Sequence, residues 1–243
     1  MNAVAEPLLA VEGLEVTYGN ARALFGVDLH LPAGQVLAVL GPNGAGKTSL
    51  AAAITGRVVP ASGTVRIAGD DVTGRPTSQI SRLGVAYVPE ERAIFPHLSV
   101  IENLRVLLRY AVPKDERAAT LERALELFPV LGERRRQQAG TLSGGEQQML
   151  SLARVLAAPP KLLVADEMSL GLAPRLVDLV FDSLARARAE GVTVLLVEQY
   201  VQRALAFADD AMILRRGRVA WRGKASDAHG ELLAEYLGTE TGV

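Results

Sequence analysis

Cysteine is absent from the 243-residue sequence, so disulfides and thiolate-held metals are excluded. Histidine is nearly absent. His30, His97 and His229 are the full set, and their scatter gives no spacing for a metal or a triad, so all three read as structural or surface residues. Net charge is −1, which offers no bulk attraction to nucleic acid or anionic lipid. No apolar run approaches the roughly 18 residues of a membrane-spanning helix. Met1–Pro7 lacks a basic segment followed by an apolar core, so no signal peptide is expected. Repeats and low-complexity tracts are missing as well. Lysine is scarce beside arginine, occurring only at Lys47, Lys114, Lys161 and Lys224, which we read as a lineage bias. What remains is an apolar-rich chain, 49% hydrophobic and 22% charged, with material for one large domain or two small ones.

One stretch organises it. Val36-Leu37-Ala38-Val39-Leu40 reads as a buried strand, and Gly41-Pro42-Asn43-Gly44-Ala45-Gly46-Lys47-Thr48-Ser49 follows as a turn into a helix. Gly41, Gly46, Lys47 and Thr48 keep the spacing of a phosphate-binding loop. Glycines there let successive N–H groups wrap a polyphosphate. The helix start points its positive dipole end at the same anion. Lys47 adds full charge at the β- and γ-phosphates, and the Thr48 hydroxyl is placed to bind Mg²⁺.

Upstream, Leu9, Val11, Leu14 and Val16 space as a strand broken by a bulge signal at Glu12-Gly13. Val27, Leu29 and Leu31 alternate as a half-buried strand, and Thr64–Ile67 is a strand closed by Gly69-Asp70-Asp71. Together these predict an antiparallel sheet beside a parallel core. Val85–Val88 is a buried strand stopped by Pro89. From there to about Gln138 helical signals replace strand signals, with helices over 100–110 and 115–128. The Arg134–Arg136 run is read as a solvated helix end. A helix opened by Thr141–Glu146 is expected to run to about Ala157, with a strand at Leu162–Ala165 and a helix over Pro174–Ala189 closed by Gly191. Then come an apolar strand ending at Val197, a hairpin holding Trp221, and a last helix over about Ala225–Leu237. Strands alternating with helices around a phosphate loop mean an α/β fold with a parallel sheet.

Two further stretches carry chemistry. Asp166-Glu167 ends an apolar strand, where ligands bind in open α/β sheets. Asp166 can hold Mg²⁺ directly or through water. Glu167 can polarise an attacking water as general base. Ser143-Gly144-Gly145 opens a helix and reads either as a second anion-binding helix start or as an ordinary serine cap. Two phosphate-binding helix starts with one metal carboxylate leave open that one nucleotide is shared between two copies of the chain.

Over essentially its full length the chain resembles the ATP-binding subunits of ABC transporters. Gly41–Thr48 match the Walker A motif, Leu142–Gln148 the ABC signature, Leu162–Glu167 Walker B with its catalytic glutamate, and Tyr18 the adenine-stacking aromatic. The resemblance implies one ABC ATPase domain with a RecA-like P-loop core and an antiparallel β subdomain, at about residues 1–89 and 156–243. A helical subdomain is expected at about 90–155. It implies ATP and Mg²⁺ as cofactors and two ATPs sandwiched head to tail in a dimer. The loop Gly41, Pro42, Asn43, Gly44, Ala45, Gly46, Lys47, Thr48 and Ser49 of one subunit would then face Ser143, Gly144, Gly145 and Glu146 of the other. Metal contacts fall to Thr48, Asp166 and Glu90, and catalytic contacts to Glu167 and Gln199.

A narrower likeness is to the LivF-type subunit of branched-chain amino acid importers. It rests on Pro89–Arg92, Gly144–Leu150, Ser169–Pro174 and Val197–Gln199. It implies a partner ATPase of LivG type (or a homodimer in isolation), two membrane permeases, an indirect solute-binding protein, and a peripheral place on the cytoplasmic face of the plasma membrane. Related importers of urea, amides or other amino acids share parts of these stretches.

Four residues depart from the broader family. Glu90 replaces a glutamine at the metal, and a carboxylate donates no hydrogen bond unless protonated. Gln199 replaces a histidine at the γ-phosphate, where its amide donates but carries no charge. Ala173 replaces an aspartate and Met168 a proline. Glu90 and Gln199 motivate one rival reading, a weakly hydrolysing regulatory subunit, which intact Lys47, Asp166 and Glu167 oppose. A soluble ATPase on ribosomes or DNA would carry a second ATP-binding domain or a coiled-coil insertion. Neither fits this chain, and no nucleic-acid partner is expected.

Overall fold

The computed structural model describes residues 6–91, 93–228 and 230. Arg92 and His229, both named above, lie outside this range. The chain forms two compact units. One draws on the residues up to Tyr87, Lys161–Glu167 and those from Gly191 on; the other on Val88–Pro160 and Met168–Glu190.

The first unit holds two sheets. Strands β1 (Leu9–Tyr18), β2 (Ala21–Leu31), β4 (Ser62–Ile67) and the two-residue β5 (Asp70–Asp71) form an antiparallel sheet in the order β2-β1-β4-β5. The bulge at Glu12-Gly13 has a packing reason. A strict period of two would turn Leu14 to solvent if Val11 faces the core. The register slips between Val11 and Leu14, so Leu14 and Val16 are buried alongside Val11. The Gly13 N–H donates to Asp28 Oδ1 at 2.6 Å, pinning the bulge.

The second sheet has the order β10-β9-β3-β8-β7-β6. Its strands are β3 (Val36–Leu40), β6 (Val85–Val88), β7 (Leu162–Asp166), β8 (Thr193–Val197), β9 (Asp210–Arg215) and β10 (Arg218–Lys224). β7, β8, β3 and β9 run parallel, and β10 returns as a hairpin with Trp221 opposite Ile213. Every residue of β3, β7 and β8 is buried, as continuous apolar runs in parallel sheets require. Helix α1 (Lys47–Ile54) lies between the sheets. Its Leu50 and Ile54 join Leu14, Val27, Leu37, Val164 and others in one core.

The same topology places the chemistry. β3, β8 and β7 are adjacent and parallel, with Val39 paired to Val197 and Val197 to Asp166. Their carboxyl ends therefore emerge on one edge of the sheet, carrying the Gly41 loop, Gln199 and Asp166-Glu167.

The second unit is helical: α3 (Val100–Ala111), α4 (Arg117–Leu127), α5 (Pro129–Glu133), α6 (Gly144–Leu156) and α7 (Pro174–Ala189). Capping boxes start two of them, Ser99 with Glu102 for α3 and Ser143 with Glu146 for α6. Hydrogen bonds from Ser99 hold the Glu102 carboxyl below its ordinary range. The buried Asn103 side chain accepts from the Phe95 N–H at 2.7 Å and donates to the Phe95, Leu98 and Ser99 carbonyls, fixing the segment before α3. Ala173 caps α7 without a side-chain bond, and Pro174 takes the first helical position. Two short helices complete the described chain, α2 (Thr77–Arg82) and α8 (Val201–Phe207), both in the first unit. The expected last helix over Ala225–Leu237 opens differently. Ala225–Asp227 form a single 3₁₀ turn, Ala228 follows it outside any helix, and the remainder lies outside the described residues, Gly230 excepted. Among the described residues, no helix is long and apolar enough to cross a membrane.

Candidate functional site

The turn after β3 is built for an anion. Gly46 caps α1 in a left-handed conformation, φ 106°, and contributes no side-chain cap. The opening N–H groups of α1 are thus left to whatever the loop receives. A Cβ at Gly46 would sit 2.7 Å from Leu24 Cδ2 and 2.9 Å from the Ala23 carbonyl oxygen. Only glycine suits both the dihedral and the space. Ala45 is buried, and its carbonyl accepts from the Gly217 N–H at 2.9 Å. Pro42, Asn43, Gly44 and Thr48 are exposed, and Ser49 is partly exposed.

Lys47 and Glu167 meet in this unit. The Lys47 ammonium is 4% exposed, donates to the Gly41 carbonyl at 2.9 Å and the Pro42 carbonyl at 3.3 Å, and stands 3.2 Å from Glu167 Oε1. Gln199 Nε2 donates to the other oxygen, Glu167 Oε2, at 2.6 Å and to Asn43 Oδ1 at 3.0 Å. Lys47, Glu167, Gln199 and Asn43 therefore form one connected network. Glu167 itself has φ +48°, a sparsely populated conformation for a side chain of this size, costing about 1–3 kcal/mol. Its N–H donates to the Val197 carbonyl at 2.8 Å, which holds the backbone there.

Asp166 is 1% exposed at the end of β7. The Tyr87 hydroxyl donates to its Oδ2 at 2.9 Å. Burial, then the charge of Asp166, pushes the Tyr87 phenol well above its ordinary value of 10.0, so it remains a donor. The Arg57 guanidinium stacks on the Tyr87 ring, 4.8 Å from its centroid. Tyr18 is 50% exposed at the end of β1.

The remaining predicted site residues belong to the second unit. Glu90 is exposed in the turn after β6. Ser143 is exposed as the cap of α6, and its hydroxyl accepts from the Glu146 N–H. Glu146 Oε2 accepts from the Ser143 N–H at 2.9 Å, and Oε1 stands 3.1 Å from Arg134 Nε. Gly145 is buried, and a Cβ there would meet Leu176 Cδ1 at 2.1 Å. Close packing of α6 on α7 is thus a sufficient reason for that glycine. Sequence reading missed Arg134, taken as part of a solvated run, and Tyr87, taken as a strand residue alone. No local motif marks either one.

The donor set fits Mg²⁺ held together with a nucleotide. Among the described residues no group of three or more His, Cys, Asp or Glu could hold a metal by itself. Mg²⁺ is commonly bound by one or two carboxylates plus substrate phosphates, and the buried Asp166 carboxylate and the exposed Thr48 hydroxyl are donors of the kind such a set could use.

Comparison with known proteins gives the family. The ABC transporter family profile matches residues 24–169. The chain is 41% identical over 233 residues to the high-affinity branched-chain amino acid transport ATP-binding protein BraG of Pseudomonas aeruginosa, covering 95% of this chain and 100% of that one. It is 38% identical to the probable branched-chain amino acid transport ATP-binding protein LivF of Archaeoglobus fulgidus, covering 90% and 93%. Among solved structures, an ATP-binding subunit of an ABC transporter aligns with TM-score 0.82 at 28% identity, covering 90% and 91%.

Proposed function

The chain belongs to the ABC transporter family as an ATP-binding, ATP-hydrolysing subunit, and from that premise we propose that it energises an importer of branched-chain amino acids. The observation that carries the solute class is the 41% identity to BraG across essentially both chains. Family members work with a partner ATPase and membrane permeases. We assign this chain a LivG-like partner, two permeases, a solute-binding protein reached through them, and a peripheral place on the cytoplasmic face of the plasma membrane.

In this reading the loop Gly41–Ser49 wraps the polyphosphate with backbone N–H groups. Lys47 turns from Glu167 toward the β- and γ-oxygens. Asp166 and Thr48, with Glu90, would hold Mg²⁺, which would supply positive charge against the transferred phosphoryl group. Glu167 accepts a proton from the attacking water. Gln199 keeps the Glu167 carboxylate oriented through its 2.6 Å hydrogen bond. Tyr18, exposed at the end of β1, stacks on adenine. The exposed cap Ser143, with Gly144, Gly145 and Glu146, serves the nucleotide of a second subunit. ATP binds the closed dimer better than the open one, and that difference in affinity drives the conformational change.

The test is uptake of labelled leucine, isoleucine and valine in cells with and without this protein, alongside phosphate release from the purified chain with its partner ATPase. Uptake that depends on the protein is expected. Unchanged uptake with intact phosphate release would move the solute to urea, amides or other amino acids.

A further inference from the structure

Asp166 does not stand alone at the end of β7. Tyr87, on the neighbouring edge strand β6, donates its phenolic hydroxyl to Asp166 Oδ2 at 2.9 Å. The ring is gripped in turn by Arg57, 4.8 Å from the centroid. Arg57 follows the carboxyl end of α1, and its N–H donates to the Ala52 carbonyl at 2.8 Å. The helix that offers Thr48 at its first turn therefore grips, just beyond its last, the residue that bonds Asp166. We propose that Tyr87 is a positioning residue for the metal: it fixes the Asp166 carboxylate in the orientation that meets Mg²⁺, with Arg57 locking its ring to the phosphate-loop helix.

Three observations favour this over simple packing. The phenol reaches a charged oxygen rather than a backbone carbonyl. That carboxylate is 1% exposed, so water does not readily replace the hydroxyl. The Arg57 contact ties the pair to α1 and not to the adjacent strand. Ligating carboxylates depend on such outer partners, whose removal typically costs about 10–100-fold in metal affinity.

The inference rests on the assignment of Asp166 to Mg²⁺, and the experiment separates the two. ADP binding to the purified full chain is measured by calorimetry in EDTA and across a Mg²⁺ titration. Tyr87→Phe keeps the ring and removes the hydroxyl. It should bind ADP in EDTA within about twofold of wild type, while the Mg²⁺ concentration at half-effect rises about tenfold. Arg57→Met removes the stacked cation and should shift the same reading the same way by about threefold. Asp166→Asn should abolish the Mg²⁺ effect. If Asp166→Asn retains it, the metal assignment fails and the proposal with it. If Asp166→Asn loses it and Tyr87→Phe keeps a wild-type Mg²⁺ response, the role of Tyr87 alone is overturned. A parallel loss by Tyr87→Phe in EDTA and Mg²⁺ would also overturn it, making the hydroxyl a packing element.

Discussion

Glu167→Gln is the sharpest probe of the network at the phosphate loop. Lys47 directs its ammonium at Glu167 and two loop carbonyls, and an entering phosphate competes for the same charge. Removing one partner of a buried pair costs about 3–5 kcal/mol. Glutamine keeps an oxygen acceptor, and Lys47 keeps the Gly41 and Pro42 carbonyls, so we take about 2 kcal/mol here. Without nucleotide the variant should therefore melt about 4–8 °C below wild type. A bound diphosphate supplies the missing negative charge and removes that cost. ADP affinity should then rise about 30-fold, since about 1.36 kcal/mol corresponds to tenfold. Calorimetric titration of ADP in EDTA reads this with the metal held out. Steady-state phosphate release with the partner ATPase should fall about 10²–10⁴-fold. A variant that melts with wild type and binds ADP no tighter would refute the competition between Glu167 and phosphate, whatever its turnover.

Two other substitutions test separate parts. Gly46→Ala places a Cβ against Leu24 and the Ala23 carbonyl at φ 106°; chemical denaturation should show a loss of about 1–3 kcal/mol, and ADP binding should disappear. Ser143→Ala removes the acceptor of the α6 capping box, which should cost about 1 kcal/mol in denaturation. ADP binding by the single chain should be unchanged, while turnover with the partner falls about tenfold or more; wild-type turnover would return Ser143 to an ordinary cap.

What was legible in the sequence was what is local in it. The run Val36–Leu40 followed by Gly41–Ser49 specifies a buried strand, a tight loop and a helix without reference to anything distant, and the structure has all three. Asp166-Glu167 was visible because an apolar strand ends there abruptly. The Glu12-Gly13 bulge was visible because apolar positions fall out of step across it. Other features depend on neighbours far along the chain. Tyr87 reaches Asp166 only because β6 lies beside β7. Arg134 meets Glu146 across a turn and a 3₁₀ segment, where periodicity says nothing. Gly145 fits the expected anion site in sequence, yet its nearest constraint is Leu176, which only the packing of α7 reveals. Helix α5 escaped notice because Pro129–Glu133 is too short to show a period.

The strained backbone of Glu167 and the neutral side chain of Gln199 have a common consequence. At φ +48° the carboxylate is held by its N–H bond to Val197, by Lys47 and by Gln199, and strain of this kind persists only where surroundings over-determine it. A histidine beside the carboxylate would change charge between about pH 5 and 8. When protonated it would be a second cation competing with Lys47 for one carboxylate. An amide donates at every pH and adds no charge, so Lys47 remains the principal cation Glu167 meets in this network. Gln199 also reaches Asn43 Oδ1 with the same nitrogen. One neutral group thus couples the phosphate loop to the glutamate, and a shift of Asn43 on phosphate entry would be felt at Glu167 through a single hydrogen-bonded nitrogen. Compared with a histidine, Gln199 therefore keeps a positioning donor to Glu167 while carrying no titratable charge.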